Sequence, residues 1–168
     1  MTFAELNAKD RSGFVGAVGA AFESSPWVAE RAWEKRPFAT IDGLSDAMAS
    51  VVEAAPLEEQ IALLRAHPDL GAVRQADEMS PLSQREQAGA GLDGLTRDEL
   101  ERLRALNSAY REKFGFPFLY AVRGSTTRDI LNALERRLTS MRDAEHKEAL
   151  RQVYRIARFR LEDMLTQP

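Results

Sequence analysis

The sequence contains no cysteine, only two histidines and only four lysines in 168 residues. Without cysteine there is no disulfide, no thiolate nucleophile and no zinc–thiolate site. His67 and His146 cannot supply a three-histidine metal site within one chain. Lys9, Lys35, Lys113 and Lys147 all have polar or charged neighbours, poor surroundings for a desolvated Schiff-base amine. A Gly-rich phosphate loop is missing. No apolar run approaches the roughly 18 residues that suggest a membrane span. The net charge of −3 leaves no basic excess for nucleic acid and no polybasic run for a membrane surface. The opening residues Met1-Thr2-Phe3-Ala4-Glu5 lack the charged and apolar regions of a secretory signal. The closing Leu165-Thr166-Gln167-Pro168 is not a peroxisomal address. The expectation is a cytoplasmic protein with no nucleic-acid or membrane partner. An enzyme made from this inventory works with histidine, carboxylates, arginine and backbone amides.

What is present is helical. Hydrophobic residues make up 44% of the chain, enough for a core. Apolar positions recur at helical spacing almost throughout, and period-two β-branched runs are missing. Asp10 caps a helix carrying Phe14, Val18 and Phe22. Ser25-Pro26 opens a second, which Arg36-Pro37 ends. A third runs from Ser45 to Ala54. Pro56 starts another, with Leu57, Ile61 and Leu64 inward, which stops near Ala66 because the residue before Pro68 is pushed out of the α region. Ser80-Pro81 and the capping box Thr96-Arg97-Asp98-Glu99 open two more. Ser125-Thr126-Thr127 caps the next, and the last runs from about Asp143 to Leu165. The stretch Phe114 to Gly124, dense in aromatics, Gly and Pro, reads as an ordered loop. The expected fold is all-α, a single-domain bundle of seven to nine helices over 1–168.

Three features have chemical potential, each with a plainer reading beside it. His67 follows a helix C-terminus and precedes a proline. The proline narrows its backbone, and the helix end favours the imidazolium. That suits a proton shuttle, and equally a histidine that caps helix carbonyls. Glu86 has capping-box spacing from Ser83, but Ser80-Pro81 is the better helix start. Glu86 is then inside the helix, either a surface carboxylate or a residue that orients His67 or a ligand. The aromatic loop is either a packed connector or a source of backbone N–H groups for an anion. Arg160, close to the apolar stripe of the last helix, is of the type that clamps a carboxylate. His146, in Asp143-Ala144-Glu145-His146-Lys147-Glu148, reads as solvated. Trp27 and Trp33 read as core or interface residues.

These pieces, in this order, resemble the OHCU decarboxylase family of urate breakdown. The matching segments are Ser25-Pro26-Trp27-Val28-Ala29-Glu30, Arg36-Pro37-Phe38 and His67-Pro68-Asp69-Leu70-Gly71. Next come Ser83-x-x-Glu86-Gln87 with Ala88-Gly89-Ala90-Gly91-Leu92, and Asn107-x-x-Tyr110-x-x-Lys113-Phe114-Gly115-Phe116-Pro117-Phe118. Ala121-Val122-Arg123-Gly124 and Arg155-Ile156-Ala157-Arg158-Phe159-Arg160-Leu161 complete the set.

The resemblance implies conversion of 2-oxo-4-hydroxy-4-carboxy-5-ureidoimidazoline (OHCU) to (S)-allantoin and carbon dioxide, without metal or organic cofactor, by a helical homodimer. It implies His67 as the catalytic histidine, with Glu86 beside it. Pro68, Ser83, Gln84, Arg85, Glu86, Gln87, Phe118, Leu119, Tyr120, Ala121 and Val122 match substrate-contact positions, and Arg160 matches a substrate-binding arginine. Loss of carbon dioxide leaves an electron pair on a ring carbon, and the substrate's own conjugation can hold it. A chain without a suitable lysine or metal ligands is compatible with that chemistry. A non-catalytic helical interaction module, or a lyase or hydrolase acting on a related ureide, remains open on the residues alone.

Overall fold

The computed structural model describes residues 1–71 and 79–166. Among them are nine α-helices, two short 3-10 turns and no strand, as the apolar spacing predicts. Backbone proximity divides the chain into two compact units, Met1–Ala66 with the segment from Val153 onward, and His67–Gln152.

The first unit holds α1 (Phe3–Asn7), α2 (Arg11–Val18), α3 (Trp27–Ala32), α4 (Ile41–Glu53), α5 (Leu57–Arg65) and the later turns of α9 (Arg142–Met164). Asp10 caps α2 by accepting from the Gly13 N–H. Helix α3 begins after Pro26, one residue later than the Ser25-Pro26 reading, a shift of the size helix ends ordinarily show. Helix α4 starts four residues before Ser45, because Thr40 caps it through the Gly43 N–H. Its face of Ile41, Leu44, Met48, Val51 and Val52 is buried. On α5 the expected inward Leu57 is exposed, while Leu63 and Leu64 are buried. Leu57 is the first helical residue; Ile61, also expected inward, is half-buried, and Leu64 is buried. Trp33 and Trp27 are half-buried. Arg36 and Arg11 lie over the Trp33 ring and Arg31 over Trp27.

The second unit holds α6 (Pro81–Gly89), α7 (Arg97–Phe114), α8 (Thr127–Leu138) and the first turns of α9. Ser80 caps α6 with Pro81 in its first turn, and Thr96–Glu99 and Thr126–Asp129 form full capping boxes on α7 and α8. Gly115, left-handed at φ 82°, ends α7. Helices α7 and α8 pack together. Between them runs the aromatic stretch, with no regular structure from Pro117 to Val122. Among the described residues, no helix is long and apolar enough to cross a membrane.

Candidate active site

Helix α5 stops at Arg65, and Ala66 is its C-cap. Pro68 cannot continue the ladder, so the chain turns through His67-Pro68-Asp69-Leu70-Gly71. Two buried side-chain amides hold this turn in place. Gln87 of α6 accepts from the Gly71 N–H at 2.9 Å and donates to the Asp69 carbonyl at 3.2 Å. Asn107 of α7 donates through Nδ2 to the Leu70 carbonyl at 2.9 Å. Arg111 adds an ion pair to the Asp69 carboxylate at 2.8 Å.

The turn therefore lies along α7 in register. Gly71 abuts Leu103, Leu70 meets Asn107 and Asp69 meets Arg111. Those helix positions are four apart and share one face.

Gly71 has φ +70°, and a Cβ there would sit 2.6 Å from Leu103 Cδ2. Leu103 is itself buried and has little room to yield. Gly71→Ala is expected to cost about 2–4 kcal/mol, from the left-handed backbone and the overpacking together. Thermal unfolding with a midpoint unchanged from the parent chain would refute this.

His67 is 5% exposed, and its Nε2 is out of contact with solvent. Pro68 and Glu86 are half-buried. Ser83 and Gln87, four apart on α6, are both buried. Because Ser80 accepts from the Ser83 N–H, Ser83 lies inside the helix and Ser83-x-x-Glu86 is no capping box. Gln84 and Arg85 are exposed and bond back to the Met79 and Pro81 carbonyls.

In the aromatic loop, Phe118, Leu119, Ala121 and Val122 are buried and Tyr120 is half-buried. The Ala121 N–H donates to Gln152 Oε1 at 2.9 Å, so this amide is already engaged. The Leu119 carbonyl accepts from Arg137 Nη1 at 2.6 Å. Arg137 also donates to Glu145 through Nε at 2.6 Å, and its guanidinium lies 4.6 Å from the Phe118 ring centroid. The Tyr110 hydroxyl donates to the same Glu145 oxygen. Burial, reinforced by Glu145, pushes the Tyr110 hydroxyl far above the usual phenol range and keeps it a donor.

Sequence reading missed this network of Arg137, Glu145, Tyr110 and Gln152. It also misjudged the 143–148 run. Glu145 is 1% exposed, and His146 is half-buried with its ring 6.4 Å from that of Phe116. Desolvation holds the His146 pKa below the ordinary histidine value.

Arg160 belongs to the first unit and is 2% exposed. It donates to Glu23 at 2.9 Å and to the Ala20 carbonyl at 3.3 Å. The expectation that it grips substrate rests on the resemblance alone. Among the described residues, no group of three or more His, Asp or Glu side chains is placed to hold a metal ion.

Helix α7 thus serves both candidate segments of the second unit. Asn107 anchors the His67 turn. Tyr110, three residues on, packs its ring 5.4 Å from Phe118 at the head of the aromatic loop.

The OHCU decarboxylase family pattern matches residues 7–162. The chain is 47% identical to the "2-oxo-4-hydroxy-4-carboxy-5-ureidoimidazoline decarboxylase" of Halalkalicoccus jeotgali, across 98% of this chain and 92% of that one. It is 43% identical to the "Uric acid degradation bifunctional protein PucL" of Bacillus subtilis, across 99% of this chain but only 33% of that one. Its fold matches the crystal structure of an (S)-allantoin synthase with a TM-score of 0.79 and 32% identity, across 98% of this chain and 54% of the synthase. The chain belongs to the OHCU decarboxylase family, the carboxy-lyases of urate degradation.

Proposed function

We propose that the chain, acting as one functional domain, converts OHCU to (S)-allantoin and carbon dioxide, with His67 moving the proton. The observation that supports this most is the in-register seating of the His67 turn on α7. The same helix packs Tyr110 under the Phe118–Val122 loop. A connector turn and a connector loop need no such buried polar anchoring.

The reaction has three demands. The bond from the ring carbon to the carboxylate must break, its electron pair must pass into the ring's conjugated system, and a proton must reach one face. Carbon dioxide leaves with neither the pair nor the proton. Donors fixed around the developing anion contribute on the order of 10²–10³ each. A positioned acid contributes roughly 10²–10⁴.

In this reading His67 exchanges the proton with the substrate hydroxyl and delivers it from one side, which sets the (S) product. Glu86 orients His67 or binds the ureido group. Pro68, the 83–87 segment and the backbone of 118–122 border the ring. Because the Ala121 amide is engaged by Gln152, contacts from the loop come from its other backbone groups. The Gln87 side chain holds the turn as well as bordering the site. The homodimer implied by the resemblance belongs to this proposal.

OHCU is unstable, so the test makes it in place. Urate is given to urate oxidase and hydroxyisourate hydrolase, and the protein is added last. Circular dichroism then follows optically active allantoin. The expected result is a rate well above spontaneous decay with enrichment of the (S) form. A rate equal to spontaneous decay overturns the proposal.

A further inference from the structure

Asn107 stands out among the buried polar residues of the second unit. It is 7% exposed, and its Nδ2 is committed to the Leu70 carbonyl. That bond settles which way the amide points and leaves Oδ1 buried with no hydrogen-bond partner. An orphaned buried acceptor lowers stability. That cost offsets the gain from satisfying the Leu70 carbonyl, so the net contribution of the asparagine to stability is small. What the residue does achieve is geometric. Its side chain is short, with few rotamers, and it rises from the middle of the 18-residue α7.

With Gln87 it pins three consecutive residues of the turn: the Asp69 carbonyl, the Leu70 carbonyl and the Gly71 N–H. His67 is two residues before the first of these, joined through the rigid Pro68. Fixing 69–71 therefore restrains the backbone from which the imidazole projects.

We propose that Asn107 is a positioning residue for His67, acting with Gln87 through the backbone of the Asp69–Gly71 turn. The inference rests on His67 being the proton-transfer residue. Release of the turn leaves the imidazole in place on average but widens its range. Misplacement of a catalytic group by about 1 Å can cost on the order of 10²-fold in rate. Substrate binding, which draws mainly on the 83–87 and 118–122 segments, changes little. Loose proton delivery also admits the wrong face of the ring.

The test is Asn107→Leu, nearly isosteric and apolar, in the coupled assay. The variant exchanges one orphaned acceptor, Oδ1, for another, the Leu70 carbonyl, so the melting temperature is expected to change little. The expected result is a kcat lower by about 10–10²-fold, a KM within about 3-fold, and a reduced enantiomeric excess of the enzymatic product. A merely structural role would lower the folded fraction and leave kcat per folded molecule and enantiomeric excess unchanged, and that outcome overturns the proposal. If Asn107→Leu does not fold, Asn107→Ser, too short to reach the carbonyl, is judged by the same readouts. His67→Ala runs alongside. If it is inactive while the Asn107 variant matches the parent, the positioning role alone fails. If His67→Ala keeps full activity, the His67 reading fails and the positioning role falls with it.

Discussion

His67→Ala is expected to lower kcat for allantoin formation by roughly 10²–10⁴-fold, the range a positioned general acid or base contributes. The protein should stay folded. The imidazole is buried, so its loss leaves a cavity, but the turn that carries it is held through its backbone by the Gln87 and Asn107 side chains. The defect should therefore appear in turnover far more than in helicity. His146→Ala is the matched control. His146 is half-buried against Phe116 and has no part in the proposed chemistry, so its variant should keep kcat within about 2–3-fold. Stopped-flow dichroism on both variants, with substrate generated in place, separates the two histidines. A His67→Ala enzyme turning over at the parent rate would sink the mechanism and leave the substrate assignment standing.

The elements that could be read from sequence were those whose ends carry local chemistry. Ser80-Pro81, Thr96 with Glu99, and the Ser125-Thr126-Thr127 run, in which Thr126 is the cap, open their helices as expected, because a cap is a contact over three residues. The start of α4 was missed although Ile41 and Leu44 continue the stripe of Met48, Val51 and Val52 at helical spacing; Gly43 in its first turn, a poor helix former, masks the Thr40 cap. The turn at His67 was legible as a corner, but not what pins it. Gln87 and Asn107 lie 16 or more residues away from the groups they hold.

A signal for the polar core did exist. Arg137 falls on the stripe of Ile130, Ala133 and Leu134, and Glu145 falls one turn before Ala149 and two turns before Gln152 and Val153 on the stripe of α9. Asn107 lies between Leu103 and Tyr110 on the buried face of α7. A charged or amide residue in register with an apolar stripe has to find a partner inside. Reading the run around His146 by its overall polarity, rather than position by position, hid Glu145.

That internal pair gives the second large effect. Glu145→Ala is expected to destabilise the protein by about 3–5 kcal/mol, because it leaves the Arg137 guanidinium buried without its counter-charge. It also strips the Tyr110 hydroxyl of its acceptor. For a chain of this size, that corresponds to a melting temperature lower by very roughly 6–20 °C. Removing both charges together has a different result. An Arg137→Met, Glu145→Leu double variant replaces a desolvated pair with packed apolar groups, an exchange that is often neutral or stabilising. It should recover only part of the lost stability, because the Tyr110 hydroxyl and the Leu119 carbonyl are left without their partners.

It should not recover activity. Arg137 also donates to the Leu119 carbonyl and lies over the Phe118 ring, so the double variant frees the 118–122 loop even as it relieves the charge. Chemical denaturation and the coupled assay on the same preparations read the two effects separately. A single variant within about 1 kcal/mol of the parent would show that the pair is not closed off from water. A double variant with parental activity would show that the loop does not depend on Arg137 for its place.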